Sequence, residues 1–133
     1  TMQDHMHYDD VIDNVIDELR ESLAIATLHG IDHRSIIIDP GIGFAKTAEQ
    51  NNEIIRHLSD FACLNVPLLI GPSRKSFIGK ILHKEDPRER IFGTAAAVAL
   101  AVERGAGFIR VHDVAEMKDV VMVTDAIMRT KLV

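Results

Sequence analysis

Apolar residues recur along this chain with two alternating rhythms. Over residues 8–29, Val11, Ile12, Val15, Ile16, Leu19, Leu23 and Leu28 fall at three- and four-residue steps, which predicts a long amphipathic helix. Asp9, Asp10, Asp13 and Glu18 suit the positive end of its dipole, and Gly30 is a natural stop. The rhythm then collapses into an unbroken run, Ile36-Ile37-Ile38, predicting a strand over 35–39 with both faces covered. Thr47-Ala48-Glu49-Gln50 matches a capping box. The helix it opens buries Ile54, Ile55, Leu58 and Phe61, with Cys63 near its end as a small core residue. Val66-Pro67-Leu68-Leu69-Ile70 reads as a second strand, followed by a short helix over about 77–82. A longer helix over 88–104 carries a small-residue face of Ala95, Ala96, Ala97, Ala99 and Ala101. Residues 108–111 read as the third strand. The last helix, over 114–129, starts from Asp113-Val114-Ala115-Glu116 and buries Met117, Val120, Val121, Thr124, Ile127 and Met128.

The resulting order, α-β-α-β-α-β-α, implies parallel strands joined by right-handed crossovers. Each strand empties into a polar loop, near Asp39, Ser73 and His112. Ligands of such sheets gather at the carboxyl ends of the strands, so the three polar clusters share one face. Three strands leave two apolar edges bare. A (β/α)8 barrel takes ~250 residues. The expected class is therefore α/β: the C-terminal part of a TIM (β/α)8 barrel, about three β/α units, occupying residues 1–133 with the N-terminal strands absent from the chain. Residues 1–7 read as the inside of a loop, again pointing to a piece of a longer protein. The isolated chain is expected to associate through its edges or to fold poorly.

Composition narrows the picture further. The 133 residues are 47% apolar and 26% charged, with a net charge of −5 and no block of Lys and Arg, which argues against a nucleic-acid surface. The longest apolar run, residues 94–102, is too short to span a membrane. One cysteine excludes an internal disulfide and offers no zinc pattern. With no signal peptide in evidence, a reducing, cytoplasmic setting is the default. His5 and His7 form a His-x-His pair, but nothing nearby supplies a third metal ligand, so a solvated loop is the plainer reading.

The chemistry lies at the three strand ends. Asp39 is followed by Pro40, which stops the hydrogen-bond ladder, and by Gly41 and Gly43, which open the backbone to close approach. Its carboxylate could accept two hydrogen bonds from an amidine-like edge such as a 2-aminopyrimidinone, or merely structure the loop as an Asx turn or helix cap. Ser73, Arg74, Lys75 and Ser76 could bind an anion or a heterocycle, or form an ordinary solvated loop; their spacing is not that of a P-loop. Arg110 and His112 lie two apart and point to one side. Arg110 inside an apolar strand requires an anion, either a ligand phosphate or a protein carboxylate. His112 adds a donor or an acid near neutral pH.

At these clusters the sequence resembles dihydropteroate synthase. Asp39-Pro40-Gly41-Ile42-Gly43-Phe44-Ala45-Lys46, Ser73-Arg74-Lys75-Ser76-Phe77-Ile78-Gly79 and Arg110-Val111-His112-Asp113-Val114 look like that family's sixth-, seventh- and eighth-strand motifs. Arg90 to Ala97 matches the stretch between the last two, and Thr1-Met2-Gln3 the segment after the fifth strand. The resemblance implies a folate-biosynthetic transferase joining 6-hydroxymethyl-7,8-dihydropterin pyrophosphate to p-aminobenzoate, releasing pyrophosphate and 7,8-dihydropteroate, with sulfonamides competing for the p-aminobenzoate side. It implies pterin contacts for Asp39, Lys75 and Arg110, p-aminobenzoate contacts for Phe44, Ser73 and Ser76, and pyrophosphate contacts for Arg110 and His112. Lys75, Arg110 and His112 are then the catalytic set. It further implies Mg2+ whose ligand lies in the absent N-terminal part, with no metal ligand in this chain, and a homodimer through the C-terminal helices. The fragment alone is expected to be inactive. The rival readings are a pterin-binding methyltransferase domain and a non-catalytic half-barrel that only assembles with a partner.

Overall fold

The computed structural model describes residues 2–44 and 46–129, residues 2–10 as backbone only. Five α-helices are described: α1 (Met2–Leu28), α2 (Ala48–Arg56), α3 (Ser76–Leu82), α4 (Ile91–Glu103) and α5 (Val114–Arg129). Two short strands, β1 (Leu69–Ile70) and β2 (Phe108–Ile109), pair in parallel with Leu69 beside Phe108 and Ile70 beside Ile109.

The strand expected over 35–39 is reduced to one parallel bridge, Ile38 to Leu68. The Ile38 N–H donates to the Pro67 carbonyl (2.9 Å) and the Leu69 N–H to the Ile38 carbonyl (2.8 Å). A tight 3-10 turn at His33–Ser35 precedes it and Pro40, with no N–H, follows. Only a few residues remain extended between these two limits.

The sheet has one covered face. By strand alternation and register, Ile36, Ile38, Leu68, Ile70 and Ile109 point to the helices. Ile38, Leu68 and Ile70 join Ile12, Ile54, Leu58, Phe61 and Phe77 in the core. The opposite face carries Ile37, Asp39, Leu69, Gly71, Phe108 and Arg110. Ile37 is 47% exposed and Phe108 45% exposed. The triple isoleucine is therefore buried on one side only, contrary to the two-sided burial expected of it.

The helices follow their patterns with corrections. α1 runs from Met2, so residues 2–7 are helical rather than loop and Asp9 and Asp10 lie beyond its first turn. No glycine or proline interrupts those residues, and an established helix propagates readily. The side chains of His5 and His7, and hence the His-x-His pair, lie outside the described residues. Leu28, expected on the buried stripe, is exposed. α2 starts on the expected capping box: Thr47 Oγ1 accepts from the Gln50 N–H and Gln50 Oε1 from the Thr47 N–H. After α2 the chain tightens into a 3-10 stretch, Leu58–Leu64, whose three-residue period buries Leu58, Phe61 and Leu64. That rotation turns Cys63 outward, so it is exposed rather than core, with Arg20 Nη2 donating to its Sγ at 3.4 Å. α4 buries Thr94, Ala97, Val98 and Ala101, which is narrower than the expected alanine face. α5 buries Met117, while Ile127 and Met128 are exposed.

Candidate functional site

The parallel register brings the carboxyl ends of the Ile38 segment, β1 and β2 to one edge. There Gly71, Ser73, Lys75, Arg110, Val111 and His112 line an open cavity of about 380 Å3. Two of the three clusters thus meet directly.

Arg110 lies just past β2, where its N–H still donates to the Ile70 carbonyl (3.0 Å). Its side chain is exposed, on the uncovered sheet face, so the expected burial of its charge is not found. Among the described residues no carboxylate pairs with it. The guanidinium instead turns its Nε–Nη2 edge toward Gly71: a Cβ there would stand 3.0 Å from Nη2 and 3.1 Å from Nε. The absence of a side chain at Gly71 is what allows that close approach. The Asp113 carboxylate is taken by Arg74, with Nη2 to Oδ1 at 2.8 Å and Nε to Oδ2 at 3.3 Å. That guanidinium holds the Asp113 carboxyl below its ordinary value, and the carboxylate raises Arg74 in turn.

Ser73 is buried and serves His112. The His112 backbone N–H donates to Ser73 Oγ (3.0 Å), and the same oxygen lies 2.7 Å from His112 Nδ1. Oγ has a second lone pair and its own proton, so it can accept from or donate to Nδ1 according to the imidazole tautomer; Nε2 is the nitrogen that Ser73 leaves free.

Asp39 is exposed and makes the Asx turn that was one of the readings the sequence left open. Its Oδ1 accepts the Gly41 N–H (2.8 Å), an Asx turn, while no described donor engages Oδ2. The loop that follows reaches Lys75. Gly43 has φ +89°, and a Cβ there would stand 2.9 Å from Lys75 Cδ. Lys75 Nζ sits 4.5 Å above the centre of the Phe44 ring, so the ammonium and the exposed phenyl form a cation–π pair. Ser76 is not part of this group. It opens a separate cavity, with Gly79, Lys80, His83 and Arg90 in its wall.

Several side chains that hold these loops carried little signal in the sequence. Asn51, which is buried, accepts the Gly43 N–H (2.8 Å) and donates to the Thr47 carbonyl (3.0 Å). Lys46 Nζ donates to the Gly41 carbonyl (3.0 Å). A polar residue at a helix position whose neighbours are apolar was the available clue for Asn51.

The family model described as pterin binding enzyme matches residues 1–112. The chain belongs to the pterin-binding enzyme family. Within it, the chain is 47% identical over 129 residues to the dihydropteroate synthase of Synechocystis sp., covering 97% of this chain and 45% of that protein. Among solved structures it is similar to dihydropteroate synthase from Xanthomonas albilineans in complex with 7,8-dihydropteroate. That match has a TM-score of 0.89 and 42% identity, over 94% of this chain and 49% of the other. The Yersinia pestis enzyme with a pterine–sulfa conjugate gives 0.88 and 32%, over 92% and 47%. This member thus spans about half the length of the relatives it matches. As an α/β fold with two parallel strands it corresponds to part of those enzymes.

Among the described residues no group of three His, Cys, Asp or Glu is arranged to hold a metal, and the charged groups lining the cavity are cations or the histidine. Among the described residues, the donors lining this cavity do not by themselves fit a magnesium ion. No described helix is long and apolar enough to cross a membrane.

Proposed function

We propose that residues 1–133 form the C-terminal three β/α units of a (β/α)8 barrel, and that the complete protein is a dihydropteroate synthase. The observation that carries this reading is the uncovered sheet face. It holds Ile37, Phe108, Asp39 and Arg110 on one side and runs into the cavity of Ser73, Lys75 and His112. An apolar sheet face of this kind is the interior of a barrel lacking its other wall. The site is then one side of a pocket completed by residues outside the chain.

In this reading Asp39 Oδ2 accepts from the 2-amino and ring N–H edge of the pterin. Arg110 covers the pterin face, and Lys75 approaches from the opposite side. Phe44 and Ser73 serve the p-aminobenzoate side, where sulfonamides compete; Ser73 also acts through His112, and Ser76 serves that side from the neighbouring cavity it lines. The C–O bond from the pterin methylene to pyrophosphate breaks, and the electron pair leaves with the phosphate oxygen. Arg110 and the Nε2–H of His112 stabilise the negative charge that develops there. The arylamine nitrogen then bonds to the methylene carbon and loses a proton. The magnesium ion implied by the sequence is assigned to residues beyond this chain, and no step here runs through it. We place the protein in the cytoplasm. Its partner in this reading is a second copy, and the exposed Ile81, Leu82, Phe92 and Leu100 of α3 and α4 supply apolar surface for it.

The test is a pair of assays on the complete protein. Dihydropteroate formation from the pterin pyrophosphate and p-aminobenzoate is expected, with no methyl transfer from methyltetrahydrofolate. Methyl transfer without dihydropteroate formation would establish the methyltransferase reading instead. Absence of both, with a folded complete protein, would leave only a non-catalytic assembly role.

A further inference from the structure

We infer that Arg90 and Thr94, at the start of α4, are positioning residues that set the geometry of Lys75 and Ser73; this deepens the reading just given and rests on it. The turn between β1 and α3 is closed by the Lys75 N–H donating to the Pro72 carbonyl (3.2 Å). Its third residue, Arg74, has φ +57°, a left-handed conformation that glycine adopts freely and arginine does not. A side chain at this place persists because the surroundings hold every part of the residue. The Arg74 N–H donates to Thr94 Oγ1 (3.0 Å), and the Arg74 carbonyl accepts from Arg90 Nη1 (2.8 Å). Its guanidinium is held by Asp113.

Arg90 is suited to that task and does not line the cavity of Ser73, Lys75 and His112. It is buried, and its guanidinium donates to three backbone carbonyls: Arg74, Lys84 (Nε, 3.0 Å) and Glu85 (Nη2, 2.9 Å). It lies directly on Gly79, where a Cβ would stand 2.5 Å from Cζ. Thr94 is fully buried, and its hydroxyl oxygen accepts the Arg74 N–H. Two residues of α4, seated on a glycine of α3, therefore fix the peptide on each side of Arg74. The neighbours on either side are Ser73, which orients His112, and Lys75, which lies over Phe44. The Arg90–Thr94 stretch, which had no role in the sequence reading beyond its likeness, gains one here.

The experiment uses the complete protein with Thr94→Val, Thr94→Ser, Arg90→Lys and Gly79→Ala. Val keeps the volume and removes the acceptor, and Lys keeps a charge but loses the planar fork. Tryptic cleavage after Arg74 and Lys75 reads the turn without any ligand, and steady-state dihydropteroate synthesis reads the site. Thr94→Val is expected to speed cleavage at those bonds about tenfold. It is also expected to lower kcat by about 10–100-fold, the effect of a misplacement near 1 Å, with a thermal midpoint lowered by no more than the loss of one buried hydrogen bond. Thr94→Ser restores both, and Arg90→Lys and Gly79→Ala follow Thr94→Val. Turnover within twofold of the parent in Thr94→Val, or a loss that serine does not restore, overturns the inference. If the parent itself makes no dihydropteroate, the functional reading fails and the protease result decides alone: faster cleavage supports the clamp, unchanged cleavage overturns it.

Discussion

Asp39 offers the sharpest separation of structure from binding. Its two carboxylate oxygens have different work: Oδ1 closes the turn to Gly41 at 2.8 Å, and Oδ2 has no described partner. Asp39→Asn leaves a carbonyl oxygen to accept the Gly41 N–H, so the turn survives and a change of this kind on an exposed group costs under about 0.5 kcal/mol of stability. The amide then puts an NH2 donor where the pterin edge offers its own donors. A lost hydrogen bond to a charged acceptor is worth about 1.5–3 kcal/mol, or roughly 10–150-fold in Kd. Titration calorimetry of the complete protein with the dihydropterin pyrophosphate should register that loss, while the unfolding midpoint stays put. Asp39→Ala should lose both affinity and some stability. Unchanged affinity in Asp39→Asn, or a drop in stability matching the drop in affinity, would refute the division of labour between the two oxygens.

Three further outcomes are expected. Phe108→Ala should cost about 3–5 kcal/mol where the sheet face is covered, in the complete protein, and roughly 1–2 kcal/mol in the 133-residue chain, measured by urea unfolding of both; equal costs would mean the face is not a barrel interior. Gly43→Ala must strain a left-handed backbone by about 1–2 kcal/mol and push on the Lys75 stem, so a lower unfolding midpoint and about tenfold weaker p-aminobenzoate binding should appear together. The Arg74–Asp113 pair gives a pH signature: Asp113 is held below its ordinary value of 3.8, so as pH falls the unfolded chain takes up that proton first. The stabilisation is complete above that value and is lost as pH falls through the lowered folded value. Unfolding midpoints of the parent and Asp113→Asn should therefore differ by a constant amount from neutral pH down to about 5 and converge only below 3.8; convergence nearer neutral pH would count against the pair.

The fold was legible where local rules act alone. The Thr47 capping box lies between neighbours in sequence, and the buried runs around Ile38 and Ile70 mark the sheet without reference to anything distant. What required three dimensions was anything set by an absent or remote neighbour. Ile37 and Phe108 read as core, since hydrophobicity does not say whether the surface that would cover a residue is in the same chain. Arg110 read as a buried charge because the strand around it is apolar, yet its face of the sheet is open. Cys63 faced outward because the helix before it tightened, a change of period that composition does not signal. At the candidate site, Ser73, Lys75, Arg110 and His112 stood out in the pattern, and the structure brings them to one cavity. Those that hold them were not: Asn51, Thr94 and Arg90 act through backbone groups 8–20 residues away. The Ser73–His112 link spans 39 residues and depends on β1 and β2 lying side by side.

In the proposed enzyme this chain is one wall of a pterin pocket whose other wall lies outside it. The decisive measurement is a crystal structure of the complete protein with bound dihydropterin. The 2-amino edge is expected on Asp39, Arg110 over the pterin face, Lys75 on the opposite side, and Ile37 and Phe108 buried beneath strands from the rest of the chain. A pterin bound elsewhere, or an Asp39 engaged with Gly41 alone while Ile37 and Phe108 remain in solvent, would contradict it.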